Sequence, residues 1–129
     1  MVIRDTIVVT IDNPPTGLKK VETVRLLGVD TPETVHPKRG TDYFGKESSE
    51  FTKQHLLGKI VYLAFDWDLR DRYGRLLSYV YLTDRVCFNA IQIKQGYAYS
   101  YPNFPFRFLK EFLMYELEAK INKYGLWKS

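Results

Sequence analysis

Val24-Arg25-Leu26-Leu27-Gly28-Val29-Asp30-Thr31-Pro32-Glu33-Thr34 is the stretch on which the reading of this chain turns. It begins as an apolar strand over Val24 to Val29, with one arginine set into it, and ends abruptly in an acidic turn. A strand end is rigid, so it can hold charged groups in fixed geometry. Asp30 and Glu33 are three residues apart with Pro32 between them to stiffen the chain, and they offer hard oxygen ligands to a divalent cation. Arg25, at the base of the same segment, points to an anion on the other side of that cation. Cation, anion and carboxylates together read as phosphate chemistry. The same four residues, Asp-Thr-Pro-Glu, are also an ordinary turn and helix-start signal, with a capping residue followed by proline in the first turn.

A second segment shifts the balance toward function. In Asp71-Arg72-Tyr73-Gly74-Arg75-Leu76-Leu77-Ser78-Tyr79-Val80-Tyr81 a glycine-containing turn again meets an apolar strand, and an arginine again marks the junction.

Around these two segments the chain reads as one domain, residues 1–129, long enough for a real core. Hydrophobic residues make up 45% and charged residues 26%, the balance of a soluble globular protein. Ten tyrosines contribute to an aromatic content of 16%, and such rings can pack or stack on bases. A net charge of +4 permits a polyanionic partner without requiring one. The single cysteine, Cys87, excludes an intrachain disulfide, and its apolar neighbours predict a buried thiol, not a nucleophile. No stretch is long and apolar enough to span a membrane, and the chain opens directly into a strand without an export signal.

In chain order, Met1 to Ile11 reads as a strand carrying Asp5, and Asp12 to Lys20 as a turn and loop. Val21 to Val29 returns as the hairpin partner. Val35 to Tyr43, with His36, Lys38 and Arg39, reads as a polar loop beside the site. Gly45 to Leu57 predicts a helix with Phe51 and Leu56 inward, stopped at Gly58. His36 and His55 have no partner at metal-ligand spacing. Lys59 to Phe65 alternates as a strand, Asp66 to Tyr73 reads as a charged turn, and Leu76 to Leu82 as the next strand. A short helix over Asn89 to Gln95 precedes a compact aromatic segment, Tyr97 to Tyr101. Phe106 to Asn122 predicts an amphipathic helix with Phe108, Phe112, Tyr115 and Ala119 near one face.

The two segments resemble the signatures of the thermonuclease family, the staphylococcal nuclease-like proteins: Arg-Leu-x-x-Val-Asp-Thr-Pro-Glu and Asp-x-Tyr-Gly-Arg. Both are complete here, in order, and separated by a helix plus a strand. The similarity continues through Asn89-Ala90, Gln95-Gly96, Tyr99, Tyr101 and Gly125-Leu126-Trp127, so it covers nearly the whole chain. It implies an α+β, mainly β fold: a five-stranded OB-type barrel with about three helices. It implies a calcium-dependent nuclease with little sequence specificity that leaves a 3′-phosphate, with DNA and single-stranded RNA both open as substrates.

The resemblance also assigns roles. Asp5 and Asp30 would bind Ca²⁺ through their carboxylates, with the Thr31 carbonyl as a further ligand. Glu33 would position the attacking water, and Arg25 and Arg75 would grip the scissile phosphate. Arg72, Tyr73, Tyr99 and Tyr101 match positions that hold nucleotide phosphate or base. Asp5 is the weaker match, because relatives carry a glycine just before it, where this chain has Arg4, and have more strand upstream. The family further implies a monomer, secreted or held at the cell envelope. The competing reading is a non-catalytic OB-fold domain that only binds nucleic acid. Related domains of that kind have lost their acidic and arginine residues, whereas Asp5, Asp30, Glu33, Arg25 and Arg75 are all present here.

Overall fold

Alternating apolar residues in the first third of the chain build a meander. In the computed structural model, which describes residues 2–3, 5–32 and 44–128, β1 (Val2–Ile3) and β2 (Thr6–Thr10) pair antiparallel, and β2 pairs antiparallel with β3 (Val21–Leu26). The strand expected over Met1 to Ile11 is therefore two strands. Ile3 faces Thr6 across a tight connection, and Asp5 sits in that connection. Asp5 interrupts the aliphatic run with a turn-favouring polar residue.

After Leu26 the chain turns at Leu27 and Gly28 into β4 (Val29–Asp30). Gly28 has φ +77°, and a Cβ there would lie 2.6 Å from the Phe106 ring, so both the backbone and the packing exclude a side chain. Then follow α1 (Gly45–Leu56), β5 (Tyr62–Arg70), β6 (Leu76–Tyr81), α2 (Phe88–Lys94), β7 (Tyr99–Ser100), α3 (Leu109–Ile121) and a 3-10 turn at Gly125–Trp127. Five strands form one mixed sheet in the order β1-β2-β3-β6-β5, in which β3 and β6 run parallel and all other neighbours antiparallel. Among the described residues no ladder joins β5 back to β1. The α+β, mainly β class and three helices match expectation.

Three expectations are corrected. The charged run from Asp66 is not a turn. Strand β5 continues through it to Arg70, with a register shift between Phe65 and Arg70, and the hairpin turn is confined to residues 71–75. Solvent faces both sides of this stretch in part, so polar residues are tolerated in a strand. Second, Tyr99–Ser100 is strand β7, paired antiparallel with β4 so that Asp30 lies opposite Tyr99. Third, α3 is less amphipathic than its sequence suggested. Phe112 and Ala119 are buried, but Leu113, Met114, Leu117 and Ile121 are exposed, so apolar residues occupy both faces.

The core joins Ile7, Val24, Leu26, Val29, Phe51, Leu56, Leu76, Val80, Phe88, Ile93 and Phe112 from every layer. Phe51 and Leu56 point inward as predicted. One buried polar bracket runs through it. The Asn89 amide donates to the Leu27 and Ser78 carbonyls at 2.9 and 3.2 Å, and its oxygen accepts the Val80 N–H at 2.9 Å. It satisfies backbone groups of β6 and of the turn between β3 and β4, which have no water to turn to. Cys87 is half-buried, and burial raises its thiol above the ordinary range, which argues against a nucleophile. His55 bonds the Phe51 carbonyl and packs against the Phe51 and Phe88 rings. Among the described residues no helix is long and apolar enough to cross a membrane.

Candidate active site

Register brings three charged groups from distant parts of the sequence to adjoining strand ends. Thr6, next to Asp5, lies opposite Arg25 across the β2–β3 ladder. Arg25 in turn lies opposite Leu77 across the parallel β3–β6 ladder, two residues beyond Arg75. Asp5 is buried, only 5% exposed, and its carboxylate meets the Arg25 guanidinium at 3.4 Å and the Thr6 hydroxyl at 3.5 Å. Arg75 reaches the same Thr6 hydroxyl at 3.5 Å from the other side.

The Arg25 side chain is 13% exposed. Burial lowers its pKa, Asp5 and Asp30 oppose that shift, and Arg75 adds to it. Both carboxylates and the second guanidinium therefore lie within electrostatic reach of Arg25. A guanidinium stays charged even so. Two like charges held close are tolerated here because acids flank them, and an anionic ligand would relieve their repulsion further.

The turn that presents Arg75 is shaped from within. The Asp71 carboxylate accepts the backbone N–H groups of Tyr73 and Arg75 at 2.9 Å each and takes the Arg75 Nε–H at 2.6 Å. It is held from outside by Arg70, which donates to the Gly74 carbonyl at 2.9 Å and the Gly17 carbonyl at 2.8 Å. The same guanidinium grips Glu22 in a two-pronged bond of 3.0 and 2.7 Å. Glu22 is held at about 2, well below the usual carboxylate range, first by the Arg70 hydrogen bonds and also by the Lys19 N–H, against the opposing effect of burial. Neither Arg70 nor Glu22 was singled out in the sequence. Their pairing depends on loop 12–20 folding over β5, which no local spacing announces.

Tyr73 lies under both Arg72 and Arg75, with ring centroids 5.0 and 5.4 Å from the guanidinium carbons. Tyr101 lies under Arg25 at 5.3 Å and meets Phe104 edge-on. Arg25, Asp71, Arg72, Tyr73, Arg75 and Tyr101 line one cleft of about 440 Å³, joined there by Trp67 and Phe104. Tyr99 stands outside that lining, its ring edge-on to Trp127. Asp30 and Thr31 leave β4 with Asp30 half-buried and Thr31 buried. Glu33, His36, Lys38 and Arg39 lie outside the described residues, and among the described residues no three His, Cys, Asp or Glu side chains cluster as a metal site.

The donors nevertheless suit a hard divalent cation. Asp5, Asp30 and the Thr31 carbonyl supply oxygen alone, and the nearly buried Asp5 carboxylate makes only long contacts to the described residues around it. A larger groove of about 480 Å³ lies between β2 and the approach to β5, but its lining is mostly aliphatic and contains none of these residues.

The chain is similar to several known proteins. The chain is 42% identical over 110 residues to a thermonuclease of Staphylococcus intermedius, covering 83% of this chain and 64% of that protein. It is 45% identical over 94 residues to a thermonuclease of Staphylococcus hyicus, covering 73% and 52%. It is 38% identical over 113 residues to Endonuclease YncB of Bacillus subtilis (strain 168), covering 84% and 52%. The chain thus spans between about half and two thirds of the length of these curated relatives. The family described as Staphylococcal nuclease homologue matches residues 23–129, a span that contains both arginine signatures and begins after Asp5. With both signatures matched and 30% identity exceeded over most of its length, the chain belongs to the staphylococcal nuclease family.

Proposed function

We propose that this chain is a calcium-dependent nuclease that hydrolyses phosphodiester bonds in single-stranded DNA, and in RNA, with little sequence preference. The observation that carries the reading is the meeting of Asp5, Arg25 and Arg75 at adjoining strand ends. A phosphodiester is protected by its negative charge, so hydrolysis needs that charge offset and the transition state favoured over the bound strand. Asp5, Asp30 and the Thr31 carbonyl would hold Ca²⁺, which when bound supplies charge neutralisation at a phosphate oxygen and a more acidic water.

The chain's own groups do the rest. Arg25 and Arg75 present planar donors that can each engage two phosphate oxygens, and they favour the extra charge of the five-coordinate state. Glu33 orients the attacking water, a role that rests on the signature alone. Water attacks phosphorus and the 5′ oxygen departs, which leaves a 3′-phosphate. Arg72 and Tyr73 steady the neighbouring nucleotide, and Tyr101 fixes the Arg25 guanidinium from below.

The test is incubation of the chain with a labelled single-stranded oligonucleotide, in calcium and in excess chelator. Cutting in calcium that stops with chelator is the expected result. Cutting that is indifferent to chelator would remove calcium from the account.

A further inference from the structure

Trp67 is 68% exposed, an unusual place for the largest apolar side chain, and it lies in the cleft that Arg25 and Arg75 line. It is nonetheless hydrogen-bonded through both its indole and its backbone. Its indole N–H donates to the Pro105 carbonyl at 2.8 Å. Its backbone N–H donates to one Asp66 oxygen at 2.8 Å, while the other oxygen accepts the Tyr79 hydroxyl at 2.6 Å and the Arg107 N–H at 2.7 Å. These bonds anchor the irregular part of β5 to β6 and to the approach to α3. The other rings of the cleft are engaged: Tyr73 by two guanidiniums, Tyr101 by Arg25 and Phe104. Tyr99 faces Trp127. Among the described residues no ring or cation stacks on Trp67.

We infer that Trp67 is the base-stacking platform of this site, taking an unpaired nucleobase of the strand whose phosphate lies on Arg25 and Arg75. The inference rests on the nuclease reading and adds the recognition element to it. A hydrogen-bonded, open indole face loses little freedom when a flat ring lies on it. Arg25, Arg72 and Arg75 along the same cleft favour a polyanion over a neutral aromatic, although Asp68 and Asp71 also line it and Asp71 is already committed to Arg75. Every base has a π face, so the platform is indifferent to sequence but demands a base freed from its duplex partner.

The test measures binding of a fluorescent single-stranded oligonucleotide in chelator, with the intact chain and with Trp67→Ala and Trp67→Phe. A second strand has every base replaced by an abasic residue. Trp67→Ala is expected to weaken binding of the base-bearing strand between about fivefold and a hundredfold. Trp67→Phe should recover most of that, and neither variant should differ from wild type on the abasic strand. Far-UV circular dichroism establishes that each variant is folded. In a Trp127→Phe background, where Trp67 is the only indole, the base-bearing strand should quench fluorescence and the abasic one should not, which tests the idea without altering Trp67. Equal binding by wild type and Trp67→Ala, equal loss on both strands, or no base-dependent quenching would overturn the inference while leaving calcium-dependent cutting intact. A wild-type chain that neither binds nor cuts the strand would overturn both.

Discussion

At the scale of single residues, the account depends on direction as well as charge. Arg25 and Arg75 both line the cleft, and each is oriented from within: Arg25 by Asp5 and the Leu26 carbonyl, Arg75 by Asp71 and the Thr6 hydroxyl. Lysine would keep the charge and lose the fork. Arg25→Lys and Arg75→Lys are each expected to slow single-turnover cutting of a single strand by about 10²–10³, the loss of about 2.7–4 kcal/mol of transition-state stabilisation. A variant within threefold of wild type would remove that arginine from the reacting centre. These residues were legible from local patterns, Arg25 as the lone cation within an apolar run and Arg75 at the junction of a turn and an apolar run. Trp67 was not. It stands in a charged run that reads as a turn, and only the continuation of β5 through that run turns its ring into the cleft. Tyr99, which matches a nucleotide-holding position in sequence, stands edge-on to Trp127 and outside the lining of that cleft.

At the scale of elements, two polar devices position the strand ends. The Glu22–Arg70 pair ties loop 12–20 to the turn that carries Arg75. Because Glu22 titrates at about 2 in the folded chain, below its ordinary 4.5, its contribution to stability is complete above 4.5 and is lost as pH falls toward 2. Thermal melts between pH 5 and 2 should therefore fall more steeply for wild type than for Glu22→Gln, which is less stable at neutral pH and flatter below. Parallel curves would show that the pair carries no such linkage. The second device is Asn89, whose amide closes the turn between β3 and β4 and so sets where Asp30 emerges. Asn89→Ala leaves buried backbone groups without partners and is expected to cost about 1–3 kcal/mol for each group left unsatisfied, read by urea denaturation. A change below half that would mean the turn finds other partners. The elements themselves were legible where an apolar run or a helical spacing was clear, as in β6 and α1. The breaks were harder. The two-residue strand β7 is set by pairing with β4, far back along the chain, whereas the fold-back at Asp5 rests on a local ladder of only two residue pairs.

For the whole molecule, a net charge of +4 is too modest to draw a nucleic acid by itself, and the discrimination comes from where the arginines converge. The parallel β3–β6 pairing, made across α1 and β5, is what joins the two signatures into one site, and no single-sequence pattern states that register. Fold class was legible because four strands and three helices could be read along the chain, and the resemblance to the family supplied the five-stranded barrel. The placement of Asp5 did not, since the match to the family begins at residue 23 and the strand around Asp5 departs from expectation. That residue is accordingly the sharpest point of test. The measurement is single-turnover cutting of a single-stranded oligonucleotide across a range of calcium concentrations, for wild type and Asp5→Asn. The account predicts that the variant needs about tenfold more calcium or more, or cuts correspondingly slower, with its fold intact. Identical calcium curves for the two proteins would contradict it.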